Sequence, residues 1–247
     1  MAEYLADPRQ YPVLPRVQPG ELTDKLPRTG PETGEPLERV IEDFHKLILP
    51  AVTHWNHPGF MAYFGSSASA PGVLGEMLSA TVNTNGMVWK AGPASTELEQ
   101  TVLGWLRQWL GLPDDFFGII YDTASISSTH AMAAARQFAD PECRRRGSLG
   151  NLTAYISTQT HSSVEKAAIA LGIGQDNVRK LEVDDAFRMR PDLLSAATQQ
   201  DLAAGRKPFF VTATVGTTST TSIDPVPEIA TIAERHGLWL HVDSAYG

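Results

Sequence analysis

The sequence predicts an α/β fold in which a mainly parallel sheet is covered by helices on both faces. Three observations predict it. From Pro71 onward short apolar runs alternate with helix-length amphipathic stretches, the order expected when each strand returns through a crossover helix. A chain of 247 residues can bury a sizeable core. Its composition, 42% hydrophobic and 19% charged, is that of an ordinary globular protein.

Residues 1–37 hold seven of the 17 prolines and no sustained periodicity, which predicts an extended arm, although a frayed tail has the same composition. Leu37, Val40, Ile41, Phe44, Leu47 and Ile48 then recur at helical spacing, and Pro50 ends the run. Trp55 to Gly72 is rich in small and aromatic residues with little charge, a poor solvated loop and a plausible pocket wall. Helices are predicted near 72–82 and 96–111, then a strand near 118–121 and a helix near 125–138. Strand 152–156, helix 162–171, strand 178–182, helix 191–203, strand 208–213, helix 226–236 and strand 238–242 complete the pattern. The division expected is residues 1–70 as arm and first helix, and 71–247 as part of a larger sheet domain that looks unfinished after its last strand.

Charge narrows the partners. Lys plus Arg number 20 against 28 Asp plus Glu, a net charge of -8, and the one basic run, Arg144 to Arg146, is too short to neutralise a stretch of phosphates. Nucleic acid is therefore not expected. Cys143 is the single cysteine, the chain opens without the basic and apolar regions of a secretory signal, and no apolar run reaches membrane-spanning length, so a reducing, cytoplasmic location is the default.

Ligands of parallel sheets bind outside the carboxyl ends of the strands, and four such ends carry chemistry here. The last strand delivers Asp243, a carboxylate that needs a cationic or donor partner if buried, or that caps the next element. Tyr121 to Thr129 leaves a strand and enters a helix through Thr123, Ala124 and Ser125, whose open N–H groups and hydroxyls suit a phosphate or serve as caps. His161, before Ser162-Ser163-Val164-Glu165-Lys166, can stack on a planar ligand or move a proton, though a lone histidine is more often structural. Ala213 to Pro225 is a hydroxyl-rich loop containing Thr218. Other chemistries fare worse. Gly172-Ile173-Gly174 follows a helix and precedes a strand, the reverse of a dinucleotide turn, and reads as a helix C-cap. His54 and His57 have no third ligand nearby, and no Gly-x-Ser-x-Gly elbow is present.

The segments His241-Val242-Asp243-Ser244-Ala245-Tyr246-Gly247, Thr160-His161-Ser162-Ser163-Val164-Glu165-Lys166 and Pro93-Ala94-Ser95-Thr96-Glu97-Leu98-Glu99 resemble the group II pyridoxal-phosphate decarboxylases of the aromatic-L-amino-acid decarboxylase type. Val52-Thr53-His54-Trp55 and His57-Pro58-Gly59-Phe60-Met61-Ala62-Tyr63-Phe64 fit the same family, whose N-terminal part alone is matched. The resemblance implies fold type I, pyridoxal 5'-phosphate as cofactor, an amino-acid substrate, and a homodimer wrapped by the arm, or a companion chain supplying the C-terminal part. On that mapping Asp243 pairs with the pyridinium nitrogen, His161 stacks on the ring, and Thr123, Ala124 and Ser125 form the phosphate cup. Ala245 lies against the opposite ring face and Thr218 supplies a nearby hydroxyl. Trp55, Tyr63, Phe64 and Ser66 match the substrate-side wall, with Ser66 in place of a more usual Thr.

Two departures stand out. Asn85 and Met87 fall where aromatic-substrate members present an apolar residue and an aromatic across the dimer, which puts a catechol or indole substrate in doubt. Asp122-Thr123-Ala124-Ser125 replaces Gly-Ser-Ala-Ser, and Asp122 beside a phosphate would repel it, so Asp122 is assigned no role. The Schiff-base lysine and the mobile-loop tyrosine of the family match no position here. The resemblance thus implies L-amino-acid decarboxylation within a longer or two-chain enzyme, and no turnover by this chain alone. A non-catalytic fragment or binding subunit is the alternative of another class. Aldehyde synthases and carbon–carbon lyases share the fold, and the retained His161 favours simple decarboxylation.

Overall fold

The computed structural model describes residues 2–66, 68–148 and 150–247. Internal packing divides the chain between Leu98 and Glu99, within the helix Pro93–Trp109.

Residues 99–247 carry a four-stranded sheet: β1 (Leu152–Ser157), β2 (Val178–Leu181), β3 (Lys207–Thr214) and β4 (Trp239–Asp243). The order is β2-β1-β3-β4 and every neighbouring pair is parallel. All six residues of β1 are buried, as are seven of the eight in β3, which is why both read as near-continuous buried runs rather than alternating ones. Helices Ser162–Ala170, Pro191–Ala203 and Val226–His236 make the crossovers, and the last two coincide with the predicted bounds. Pro191 opens one of them, and the left-handed Gly237 closes the other.

Two apolar layers cover the sheet. Leu152, Ala154, Ile156 and Phe210 join Met132, Ala135, Val164 and Ala167 of the helices Ala124–Ala139 and Ser162–Ala170. Tyr155, Val211 and Ala213 join Leu194, Ile229 and Ile232 of the other two helices. Thr153 pairs with Pro208 but Ala154 with Phe210, so Phe209 is one extra residue in β3, and this bulge puts both phenylalanines in the same layer. At the amino-terminal edge, Tyr155 donates to Asp201 at 2.8 Å and Arg179 grips the same carboxylate.

The helix Ala124–Ala139 runs antiparallel to the strands. Lys207 at the start of β3 donates to the Ala139 carbonyl at the end of the helix, while Ser128 in its second turn lies 3.3 Å from His241 of β4. Its positive N-terminus therefore sits at the carboxyl edge of the sheet.

Three expectations need correction. No strand forms at 118–121: the Ile120 N–H donates to the Glu99 side chain at 3.0 Å, and Ile119 and Ile120 are exposed, so the run lacks the ladder that defines a strand. The arm is not uniformly extended, since Ala2–Ala6, Pro8–Gln10 and Glu21–Lys25 form short helical turns. The helix from Leu37 holds α-geometry only to Asp43, then widens to a π-turn at Phe44–Ile48 and tightens at Leu49–Ala51, where Pro50 removes a donor. Leu171 and Gly172 instead close the helix Ser162–Ala170 as read, Gly172 at φ +72°.

Candidate active site

The chain runs from β1 outward to β2, then crosses back to β3 on the other side of β1. The strand order thus reverses between β1 and β3, and their carboxyl ends flank the crevice where doubly wound sheets bind ligands.

After β1 a short turn carries His161. The Thr160 hydroxyl accepts from the Ser157 N–H at 3.0 Å, and His161 becomes the N-cap of the following helix. Its Nδ1 accepts from the Ser163 N–H at 3.3 Å and lies 2.8 Å from the Ser163 hydroxyl, and the ring stays exposed. The structural and functional readings of this histidine are therefore compatible: Nδ1 caps a helix while Nε2 and the ring face remain available.

After β3 the chain makes a tight loop. Val215 bridges Ile223, Gly216 adopts φ +83°, and the buried Thr217 hydroxyl accepts from the Ser222 N–H at 2.9 Å and contacts the Thr220 hydroxyl at 2.7 Å. Thr218 is thereby held exposed at the tip. Asp224 anchors the base of the loop, accepting from the Thr214 and Met189 N–H groups at 2.8 and 2.7 Å, and burial pushes its carboxyl pKa up.

Asp243 ends β4 in register with Thr214 of β3. Its carbonyl accepts from the Val215 N–H at 2.8 Å, which ties the two strand ends together, and its Oδ1 accepts from the Ala245 N–H at 3.3 Å. The side chain is half-buried and Ala245 is exposed. His241, two residues earlier on the same face, stacks on Phe210 with ring centroids 5.7 Å apart. Burial holds its pKa below the usual imidazole value, against the opposing influence of the Asp243 charge.

Thr123 is the N-cap of the helix Ala124–Ala139, its hydroxyl accepting from the Ile126 N–H at 3.2 Å. Thr123, Ala124 and Ser125 are exposed, and as first-turn residues Ala124 and Ser125 have N–H groups without an intrahelical acceptor. Sequence reasoning missed a polar strip beneath this edge. The hydroxyls of Thr212 and Thr214 are buried without a hydrogen-bond partner among the described residues, and they share a face with His241 and Asp243. Threonines alternating along β3 were a visible signal, but only the register with β4 gives them meaning.

Residues 1–98 hold the remaining candidates. Trp55 stacks on Phe60 at 4.8 Å and on Tyr63 at 5.5 Å with nearly parallel rings, and Tyr63 sits at φ +57°. Phe64 is half-buried and Ser66 exposed. Asn85 accepts from the Met87 N–H at 2.9 Å in the turn after the helix Ala70–Val82, and Met87 is exposed. That turn closes over Gly92, where a Cβ would stand 2.8 Å from the Asn85 carbonyl oxygen.

Residues 19–247 match the family described as the pyridoxal-dependent decarboxylase conserved domain. The chain belongs to that family. This decarboxylase-family chain is 42% identical to tyrosine decarboxylase 2 of Arabidopsis thaliana, across all of this chain and 48% of the relative. It is also 42% identical to phenylacetaldehyde synthase of the same plant, across all of this chain and 52% of the relative. The crystal structure of Oryza sativa TDC with PLP and tryptamine superposes with a TM-score of 0.91 at 36% identity, covering 98% of this chain and 52% of the other. The chain thus spans about half the length of these relatives, and its fold is that of the fold type I decarboxylases. Among the described residues no helix is long and apolar enough to cross a membrane.

Proposed function

We propose that this decarboxylase-family chain supplies the cofactor-holding edge of a pyridoxal-phosphate-dependent L-amino-acid decarboxylase. One observation carries the reading: an acid, an imidazole, a hydroxyl loop and an open helix N-terminus occupy the carboxyl edge of a single parallel sheet. These residues fit the group. The open N–H groups of Ala124 and Ser125, at the positive end of their helix, suit its phosphate. Asp243 suits a protonated ring nitrogen, and the exposed face of His161 suits the ring, with Ala245 on the other side. The hydroxyls of Thr212 and Thr214, which have no hydrogen-bond partner among the described residues, keep the strand surface beside Asp243 polar.

When bound, pyridoxal phosphate serves as the sink for the electrons released as carbon dioxide leaves. Asp243 would keep the ring nitrogen of the bound group protonated, because a carboxylate next to a cation favours the charged form. Ser163 fixes Nδ1 of His161, and its Nε2 would hold or move a proton of a bound substrate. Thr218 presents a hydroxyl from its loop. We assign substrate binding to Trp55, Tyr63, Phe64, Ser66, Asn85 and Met87. The lysine that anchors the cofactor comes from sequence beyond residues 1–247 or from a companion chain, and the working unit is a cytoplasmic homodimer. In this reading residues 1–70 wrap the partner and 71–247 belong to the cofactor domain.

The relationship to a phenylacetaldehyde synthase favours aldehyde formation as the second reading. Supplying pyridoxal phosphate with L-tyrosine, L-tryptophan or L-phenylalanine and identifying the products separates the two. Amine and carbon dioxide support decarboxylation, aldehyde supports the second reading, and absence of both from every preparation that includes the anchoring lysine overturns the assignment.

A further inference from the structure

The amino-terminal turns grip one buried histidine. Only 1% of His54 is exposed, the lowest value of any residue described between 2 and 98 apart from glycine. The Tyr4 hydroxyl lies 3.0 Å from its Nδ1, the Tyr11 ring stacks on the imidazole at 4.8 Å and 21°, and the two tyrosines meet at 5.3 Å. The backbone joins the grip, with the His54 N–H donating to the Val13 carbonyl at 3.0 Å. A Cβ on Gly59 would stand 3.0 Å from the His57 ring and 3.3 Å from the Val13 side chain, so this turn packs closely against both.

His54 is followed directly by Trp55, whose ring forms the stack with Phe60 and Tyr63. Tyr63 holds a left-handed backbone at φ +57°, a conformation that costs an aromatic residue energy unless its surroundings enforce it. Trp55 is half exposed, so its position depends on that stack together with the backbone on which it is mounted, and His54 is the adjoining residue of that backbone.

We propose that Tyr4 and Tyr11 are positioning residues that set the Trp55–Tyr63 stack by gripping His54. The grip combines one side-chain hydrogen bond, one ring stack and one backbone hydrogen bond, each from a different residue of the first 13. Because the stack is read above as the substrate wall, the amino-terminal turns then tune which side chain the wall accepts, a consequence that rests on that reading.

The test compares Tyr4→Phe, Tyr11→Leu and Tyr11→Phe in the whole 247-residue chain, reading amide hydrogen exchange at 53–57 and the near-ultraviolet circular dichroism of the Trp55–Tyr63 pair. Tyr4→Phe removes the hydroxyl and Tyr11→Leu the stacking ring, so each speeds exchange of the His54 amide about threefold to tenfold and weakens the aromatic signal. Tyr11→Phe keeps the ring and behaves as the parent. Unchanged exchange and dichroism in both Tyr4→Phe and Tyr11→Leu would overturn the proposal, as would equal disturbance by Tyr11→Phe. Apparent affinity for L-tyrosine with pyridoxal phosphate is the separate arm. A loosened stack with unaltered affinity would leave the grip standing and remove Trp55 and Tyr63 from the substrate wall.

Discussion

Between Glu99 and Gly247, Tyr155, Phe210, Leu194 and Ile229 are fully buried in two layers on one sheet, while Trp109, Phe117 and Phe138 away from those layers stay exposed. Between residues 2 and 98 the amphipathic helices leave Leu37, Val40, Leu74 and Leu78 largely exposed, and the buried residues among those described are His54 and Gly92. Helical periodicity is present in both regions, so periodicity alone does not say that a face is covered. The first region holds its candidate residues at the ends of strands fixed by burial. In the second, Trp55 and Tyr63 stack on each other, and the adjoining His54 is held by a hydrogen bond from Tyr4 and the stacked ring of Tyr11. Sheet-edge chemistry rests on a packed core, whereas the aromatic wall rests on a few polar and aromatic contacts.

The contrast can be broken most strongly at Asp243. In the lysine-bearing enzyme Asp243→Asn lowers turnover by about 100-fold or more, while thermal unfolding stays near the parent because a half-buried strand-end side chain contributes little to packing. Near-normal turnover would remove Asp243 from the electron-sink role. Next in size is a matched pair of leucines. Leu194→Ala, fully buried, costs about 2–5 kcal/mol in denaturant unfolding, and Leu78→Ala, 67% exposed, stays within about 0.5 kcal/mol. Equal costs would mean that the two regions are covered alike.

The Asp201 cluster gives an effect of about 3 kcal/mol. Asp201→Ala leaves the Tyr155 hydroxyl and the Arg179 guanidinium without the carboxylate that holds them, and urea unfolding reads the loss. Acid sharpens the comparison further. Burial lowers the pKa of both His54 and His241, the first also through the charge of His57, so the native state favours neutral rings. That stability is complete above the ordinary imidazole value of about 6.5 and is lost as pH falls through the lowered values. Amide protection, with exchange rates corrected for their intrinsic pH dependence, falls around His54 and around His241 as pH is lowered from neutral. Smaller than the core and Asp201 losses is Thr123→Ala, which removes the cap on the helix Ala124–Ala139 and costs about 1 kcal/mol by thermal unfolding.

The parallel sheet was legible because its crossovers are punctuated: Pro191, Pro225 and Gly237 mark helix ends that the structure places where the sequence suggested. Residues 118–121 misled because an apolar run has strand propensity whether or not a neighbouring strand accepts its ladder. Asp243, His161 and Thr123 were legible as strand-end and helix-start residues. Thr212, Thr214 and His241 were not, since their shared face depends on a register between strands separated by a whole helix. The Tyr4–His54 contact spans 50 positions and leaves no periodic trace.

The proposed role of the carboxyl edge of the sheet in residues 99–247, holding pyridoxal phosphate, is tested most directly by an equilibrium titration of the chain with pyridoxal phosphate, followed by absorbance, for the parent and for Asp243→Asn. Saturable one-to-one binding is expected in the parent, and a changed cofactor spectrum with weakened binding in the variant. Binding that is absent from the parent, or identical in both proteins, would contradict it.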